Sequence, residues 1–111
     1  MFNFFKTKPK NYIDLGAEDF NKGMKEKDAV IIDVRTVGEF QSGKFKGARN
    51  IDMMSPSFTA QVQNLPKDKK YYIYCRSGNR SGQACDLMAD MGFENTFNLA
   101  GGIMRWPFEI V

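Results

Sequence analysis

The sequence contains no histidine. That absence removes the usual general base and the commonest metal ligand, so Cys-His proteases, zinc hydrolases and histidine phospho-relays are excluded together. Cysteine is scarce, with Cys75 and Cys85 only. In a reducing compartment two thiols point to reactivity or packing before they point to a structural bridge. No stretch approaches the ~18 apolar residues of a membrane-spanning helix. The phenylalanine-rich start, Met1 to Phe5, runs straight into lysines and a proline without the apolar core of an export signal. These absences lead to the expectation of a cytoplasmic protein that neither enters nor crosses a membrane.

A dominant charge is missing as well. Sixteen basic residues face 13 acidic ones, a net charge of +3, too small and too scattered to argue for a nucleic-acid partner. The one basic cluster, Lys6, Lys8 and Lys10, reads as a solvated tail over residues 1–10. Residues 11–111 are then left as one domain. With 42% hydrophobic and 26% charged residues in 111, the chain has an ordinary globular composition. A chain of this length buries roughly two thirds of its unfolded surface, so neither metal, cofactor nor disulfide is needed for folding, and a monomer is the default.

The pattern of apolar residues alternates between strand and helix. Asn11 to Leu15 reads as a short strand, and Ala17 to Lys25 as a helix with Phe20 and Met24 on one face. Ala29 to Val34 is a β-branched run of the kind buried on both faces of a parallel sheet, with Asp33 near its carboxyl end. Thr36 to Gln41 reads as one helical turn, Ala48 to Ile51 as a short strand, and Ser55-Pro56 as the start of a helix bearing Phe58, Val62 and Leu65. Tyr71 to Tyr74 is the next strand. From Asn79 or Arg80, Ala84, Leu87, Met88 and Met91 mark an amphipathic helix that stops at Gly92. Thr96 to Asn98 closes the set as a strand, before a Gly101-Gly102 turn and an aromatic segment around Trp106. The expectation is an α/β fold: an open, mostly parallel sheet with crossover helices on both faces.

The chemistry concentrates in Tyr74-Cys75-Arg76-Ser77-Gly78-Asn79-Arg80-Ser81, where a cysteine ends a buried strand and opens a loop running into a helix. Ligands of α/β sheets bind beyond the carboxyl ends of strands, and a helix N-terminus presents unpaired N–H groups with partial positive charge. A thiol placed there is a candidate thiolate, since the helix end and nearby arginines favour its charged form without a histidine. Gly78 permits a turn in which successive N–H groups face an anion, and Ser77 and Ser81 add hydroxyl donors. Arg80 in a first helical turn opposes the helix dipole and calls for a negative partner. The alternative is that Cys75 is a small buried hydrophobe and both arginines face water. Cys85 reads as a packing residue, with a resolving thiol as the alternative. No disulfide to Cys75 is expected, because the helix rise carries Cys85 too far away.

This loop resembles the active-site loop of the rhodanese family, the thiosulfate sulfurtransferases. Asp33-Val34-Arg35 with Glu39-Phe40, Gly47-Ala48 with Asn50-Ile51, and Leu99-Ala100-Gly101-Gly102 with Trp106 resemble further signatures of that family. The resemblance implies a rhodanese-like fold and a sulfurtransferase in which Cys75 takes the outer sulfur of an anionic donor such as thiosulfate as a persulfide. The sulfur then passes to a thiophilic acceptor, cyanide or a thiol, or along a relay of protein partners. Arg76, Ser77, Gly78, Asn79, Arg80 and Ser81 would bind the substrate. Asp33, Arg35 and Glu39 read as a hydrogen-bonded frame around the loop, with lining of the pocket as the alternative, and Trp106 and Phe108 as packing and chain-end anchors, with stacking on substrate as the alternative. Lys44 stands where relatives commonly place a histidine. Two other functions compete. A cysteine phosphatase or arsenate reductase requires five residues between cysteine and arginine, whereas four separate Cys75 from Arg80 and the next position is Ser81. A non-catalytic binding or sensing module would use the same fold with an idle cysteine.

Overall fold

The computed structural model describes residues 10–111. Of the expected tail, Lys6 and Lys8 lie outside the described residues, and Lys10 pairs with Asp14 at 2.6 Å. The chain runs β1 (Ile13–Leu15), α1 (Ala17–Gly23), β2 (Ala29–Asp33), α2 (Val37–Ser42), β3 (Arg49–Asn50), α3 (Phe58–Gln63), β4 (Lys70–Tyr74), α4 (Asn79–Asp90) and β5 (Asn95–Leu99). A 3-10 turn at Ile103–Arg105 follows. All four strand pairings are parallel, in the order β1-β5-β4-β2-β3. The sheet is thus parallel throughout the described residues, with β4 at its centre.

Alternation along the central strands explains the two buried faces. In β4, Tyr71 and Ile73 face one apolar cluster with Phe58, Val62, Ala84, Cys85 and Met88 of α3 and α4. Tyr72 and Tyr74 face the other, with Phe20 of α1, Phe45 and Leu99. Period two on a strand places neighbours on opposite faces, so a strand flanked by helices on both sides is apolar throughout. Register then sets the site: Asp33 lies opposite Tyr74, which puts the β2 and β4 exits side by side.

Beyond small shifts at element ends, such as β1 starting at Ile13 and α1 ending at Gly23, two elements differ from the sequence reading. The helix expected from Ser55-Pro56 starts at Phe58, with Ser57 as N-cap. Ser55 Oγ accepts the Ser57 N–H at 3.2 Å, and the Phe58 N–H donates to the Ser55 carbonyl at 3.1 Å. Serine side chains that satisfy the backbone locally hold a turn open against helix. The strand expected over Ala48 to Ile51 is reduced to Arg49–Asn50. Ile51 and Met53 still donate to the carbonyls of Asp33 and Val34 at 2.9 and 3.1 Å, so the chain follows β2 without completing a regular ladder. Among the described residues, no helix is long and apolar enough to cross a membrane.

Candidate active site

Cys75 follows the last residue of the central strand, at the carboxyl edge of the sheet, and is fully buried. Its loop is seated on the turn after β5. Gly78 adopts φ +100°, and a Cβ there would lie 2.3 Å from the Ala100 carbonyl oxygen. Gly102, at φ +68°, would place a Cβ 2.0 Å from the Arg76 carbonyl oxygen. Both positions therefore demand glycine twice, for backbone conformation and for space. The seat is hydrogen-bonded: the N–H groups of Ile103 and Met104 donate to the carbonyls of Cys75 and Arg76 at 2.9 and 3.1 Å. Asn98 on β5 donates through Nδ2 to the Gly78 carbonyl at 3.2 Å and to Asp14 at 2.9 Å.

Around the sulfur the donors converge. Cys75 Sγ accepts from the Gly78 N–H at 3.1 Å, the Ser81 N–H at 3.3 Å and the Ser81 hydroxyl at 3.3 Å. Burial alone would raise the thiol pKa, but the bonds from Ser81, Gly78 and the Ser77 N–H outweigh it, and the net direction is down from the ordinary value. Hydrogen bonds made to a charged form favour that form. The site therefore holds a desolvated sulfur around which backbone dipoles and one hydroxyl are placed to meet negative charge.

The arginines divide. Arg80 donates to both Glu39 carboxylate oxygens, at 2.8 and 3.1 Å, so α2 supplies the negative partner that the first turn of α4 calls for. The Arg80 guanidinium, with burial opposing and the Thr36 N–H helping, brings the Glu39 pKa down to about 2. Glu39 also closes a capping box with Thr36 at the start of α2. Arg76 is exposed and makes no ion pair among the described residues. Ser77 and Asn79 are exposed as well. Gly78 and Asn79 border a cavity of about 320 Å³ with Tyr12 and Asp86, which Cys75 does not line.

A buried frame supports the exits of β2 and β4. Arg35 donates to the Asp33 carboxylate through Nε and Nη2, at 2.6 Å for the shortest contact, and to the Gly43 carbonyl at 2.6 Å. Asn50 Nδ2 donates to the carbonyls of Asp33 and Arg35 at 3.0 and 2.9 Å. Tyr74 accepts from the Phe45 N–H at 3.0 Å, and burial raises its pKa. Cys85 packs inside the cluster beneath α4, where burial pushes its thiol pKa up, so it stays neutral. Trp106 stacks on Phe45 at 4.3 Å and meets Phe108 edge-on at 5.2 Å. The Lys44 ammonium lies 5.2 Å from the centre of the Phe40 ring. Sequence reasoning missed the ties that Asn98 makes to Gly78 and Asp14. The available signal was an amide on a strand otherwise read as buried.

Comparison with known proteins agrees with this geometry. Residues 16–108 match the rhodanese-like domain family. A sulfurtransferase from Allochromatium vinosum is 37% identical over 79 residues, covering 71% of this chain and 72% of that protein. A tRNA uridine(34) hydroxylase from Bdellovibrio bacteriovorus is 38% identical over 100 residues, covering 86% of this chain, which spans only 28% of that relative's length. A rhodanese-like domain protein from Staphylococcus aureus has a solved structure that superimposes with a TM-score of 0.75 at 28% identity, covering 87% of this chain and 93% of that one. The chain belongs to the rhodanese-like domain family.

Proposed function

We propose that this protein is a sulfurtransferase that carries sulfane sulfur as a persulfide on Cys75, taking it from an anionic donor such as thiosulfate. The observation that carries the reading is the trio of donors at 3.1 to 3.3 Å around the Cys75 sulfur. In the first half-reaction the Cys75 thiolate attacks the outer sulfur of thiosulfate. The S–S bond of the donor breaks, sulfite leaves with the electron pair, and the new sulfur stays on Sγ. In the second, cyanide or a thiolate attacks that outer sulfur and the electron pair returns to Sγ. The loop N–H groups meet the negative charge at each stage, and the exposed Arg76 draws the anionic donor. Because Cys75 must stay reduced to react, the protein works in the cytoplasm, as a monomer without metal or cofactor.

Covalent catalysis of this kind gives ping-pong kinetics. Initial rates measured over a grid of thiosulfate and cyanide concentrations are expected to give parallel double-reciprocal lines. Intersecting lines would reject a free persulfide enzyme.

A second reading rests on the 38% identity with the hydroxylase: a role in hydroxylating a tRNA uridine. The two readings separate by product, thiocyanate from thiosulfate and cyanide against a hydroxylated uridine in RNA.

A further inference from the structure

Seven large hydrophobic side chains are exposed among the described residues, and three of them follow strands whose carboxyl ends lie on either side of that of β4. Val37 is 59% exposed, Met54 71% and Met104 58%. Each lies shortly after the carboxyl end of a parallel strand, Val37 after β2, Met54 after β3 and Met104 after β5. In the strand order β5-β4-β2-β3, the Cys75 loop, which follows β4, stands with Met104 on one side and Val37 and Met54 on the other.

The contacts agree with this placement. The Met104 N–H bonds to the Arg76 carbonyl at 3.1 Å. Arg80 reaches Glu39, two residues beyond Val37, at 2.8 Å. Asp52, in the same turn as Met54, acts electrostatically on Arg80.

Such a collar serves no purpose for a small anion, which needs cations and N–H donors. Exposed apolar groups clustered round a site mark a docking surface, and methionine is the side chain that adapts to partners of varied shape. The charges of the collar are one-sided. Its carboxylates are engaged, Glu39 with Arg80 and Asp52 with the Met54 N–H at 2.9 Å. Arg76 and Arg105 are exposed and make no ion pair among the described residues.

We infer that Val37, Met54 and Met104, with Arg76 and Arg105, dock a protein sulfur acceptor whose cysteine projects on a segment with apolar neighbours and flanking carboxylates. The inference rests on the persulfide reading of Cys75. The acceptor thiolate attacks the outer sulfur of the persulfide, the bond between that sulfur and Sγ breaks, and the electron pair remains on Sγ. The acceptor leaves as a persulfide, and no external oxidant or reductant enters.

The test uses the full chain loaded with thiosulfate, its adduct of about 32 Da verified by intact mass. Sulfur transfer is timed to cyanide and to a synthetic cysteine peptide with leucine and phenylalanine beside the cysteine and aspartates outside them. Control peptides replace the aspartates by lysines, or the leucine and phenylalanine by serines. The first peptide is expected to react about tenfold faster than either control. A Met54→Ser/Met104→Ser variant is expected to lose that advantage while cyanide transfer is unchanged, tenfold being within reach of burying one or two such side chains. Equal rates for all three peptides, or a variant that keeps the preference, would overturn the docking surface. Fluorescence anisotropy of the labelled first peptide with serine for cysteine, on the reduced protein, separates the two levels. Selective binding without any adduct supports the docking surface and rejects the persulfide, whereas an adduct without selective binding does the reverse.

Discussion

Ser81 serves Cys75 twice, through its backbone N–H and its hydroxyl, both 3.3 Å from the sulfur. The backbone bond does not depend on the side chain, so Ser81→Ala isolates the hydroxyl. A hydrogen bond to a charged group contributes about 1.5 kcal/mol, and one pKa unit corresponds to about 1.4 kcal/mol. The Cys75 pKa, read from the pH dependence of iodoacetamide alkylation, is expected to rise in the variant, because one of the hydrogen bonds that favour the thiolate is lost. An unchanged midpoint would remove the hydroxyl from the site. The sign follows from the protonation state: because the pKa lies below that of an ordinary thiol, reactivity is full above it and falls away only as pH drops through it. At this scale the convergence of Gly78 and Ser81 on Cys75 was legible in the sequence, since a glycine turn at the start of a helix lets successive N–H groups face one atom. The pairing of Arg80 with Glu39, 41 positions apart, was not, because which charges meet across a loop depends on sheet order rather than on local pattern.

Helix α2 has only six residues and no buried side chain, so packing gives it little. Its stability comes from the Thr36–Glu39 capping box and from Arg80, which ties it to the first turn of α4. Glu39→Gln should therefore destabilise the protein near neutrality by roughly 1 kcal/mol, the scale of a partly exposed ion pair. The pH dependence has a definite sign. The Glu39 pKa is lowered from 4.5 to about 2, so its contribution is fully present above pH 4.5 and is lost as pH falls toward 2. Urea unfolding of both proteins at pH 7, 4 and 3 is expected to show the gap narrowing at acid pH, and a constant gap would contradict an ionic origin. Element types were legible from periodicity, which separates the apolar run of β2 from the i, i+3, i+4 stripe of α4. Ends were less so, as the serine turn before α3 and the shortened β3 show, because local side-chain bonds decide them.

For the molecule as a whole, the loop is held from both sides of the sheet. Beneath it, Cys85 and Met88 of α4 pack against Ile73. On the other face a stack runs from Tyr74 through Phe45 to Trp106, with ring centres 3.9 and 4.3 Å apart. Phe45 is fully buried at the middle of that stack, and Phe45→Ala is expected to cost about 3–5 kcal/mol, measured by urea unfolding. A loss below 1 kcal/mol would show that the stack does not support the fold. The parallel α/β architecture was readable from strands alternating with helices. The seat of the loop on Ala100–Gly102 was not, because it joins segments that only the β4–β5 pairing brings together. All of this structure converges on one sulfur atom, and intact mass after incubation with thiosulfate reads that atom directly. A gain of about 32 Da in the wild type and in Cys85→Ser, absent in Cys75→Ser, is the predicted result; no gain in the wild type, or a gain that persists in Cys75→Ser, would contradict a persulfide on Cys75.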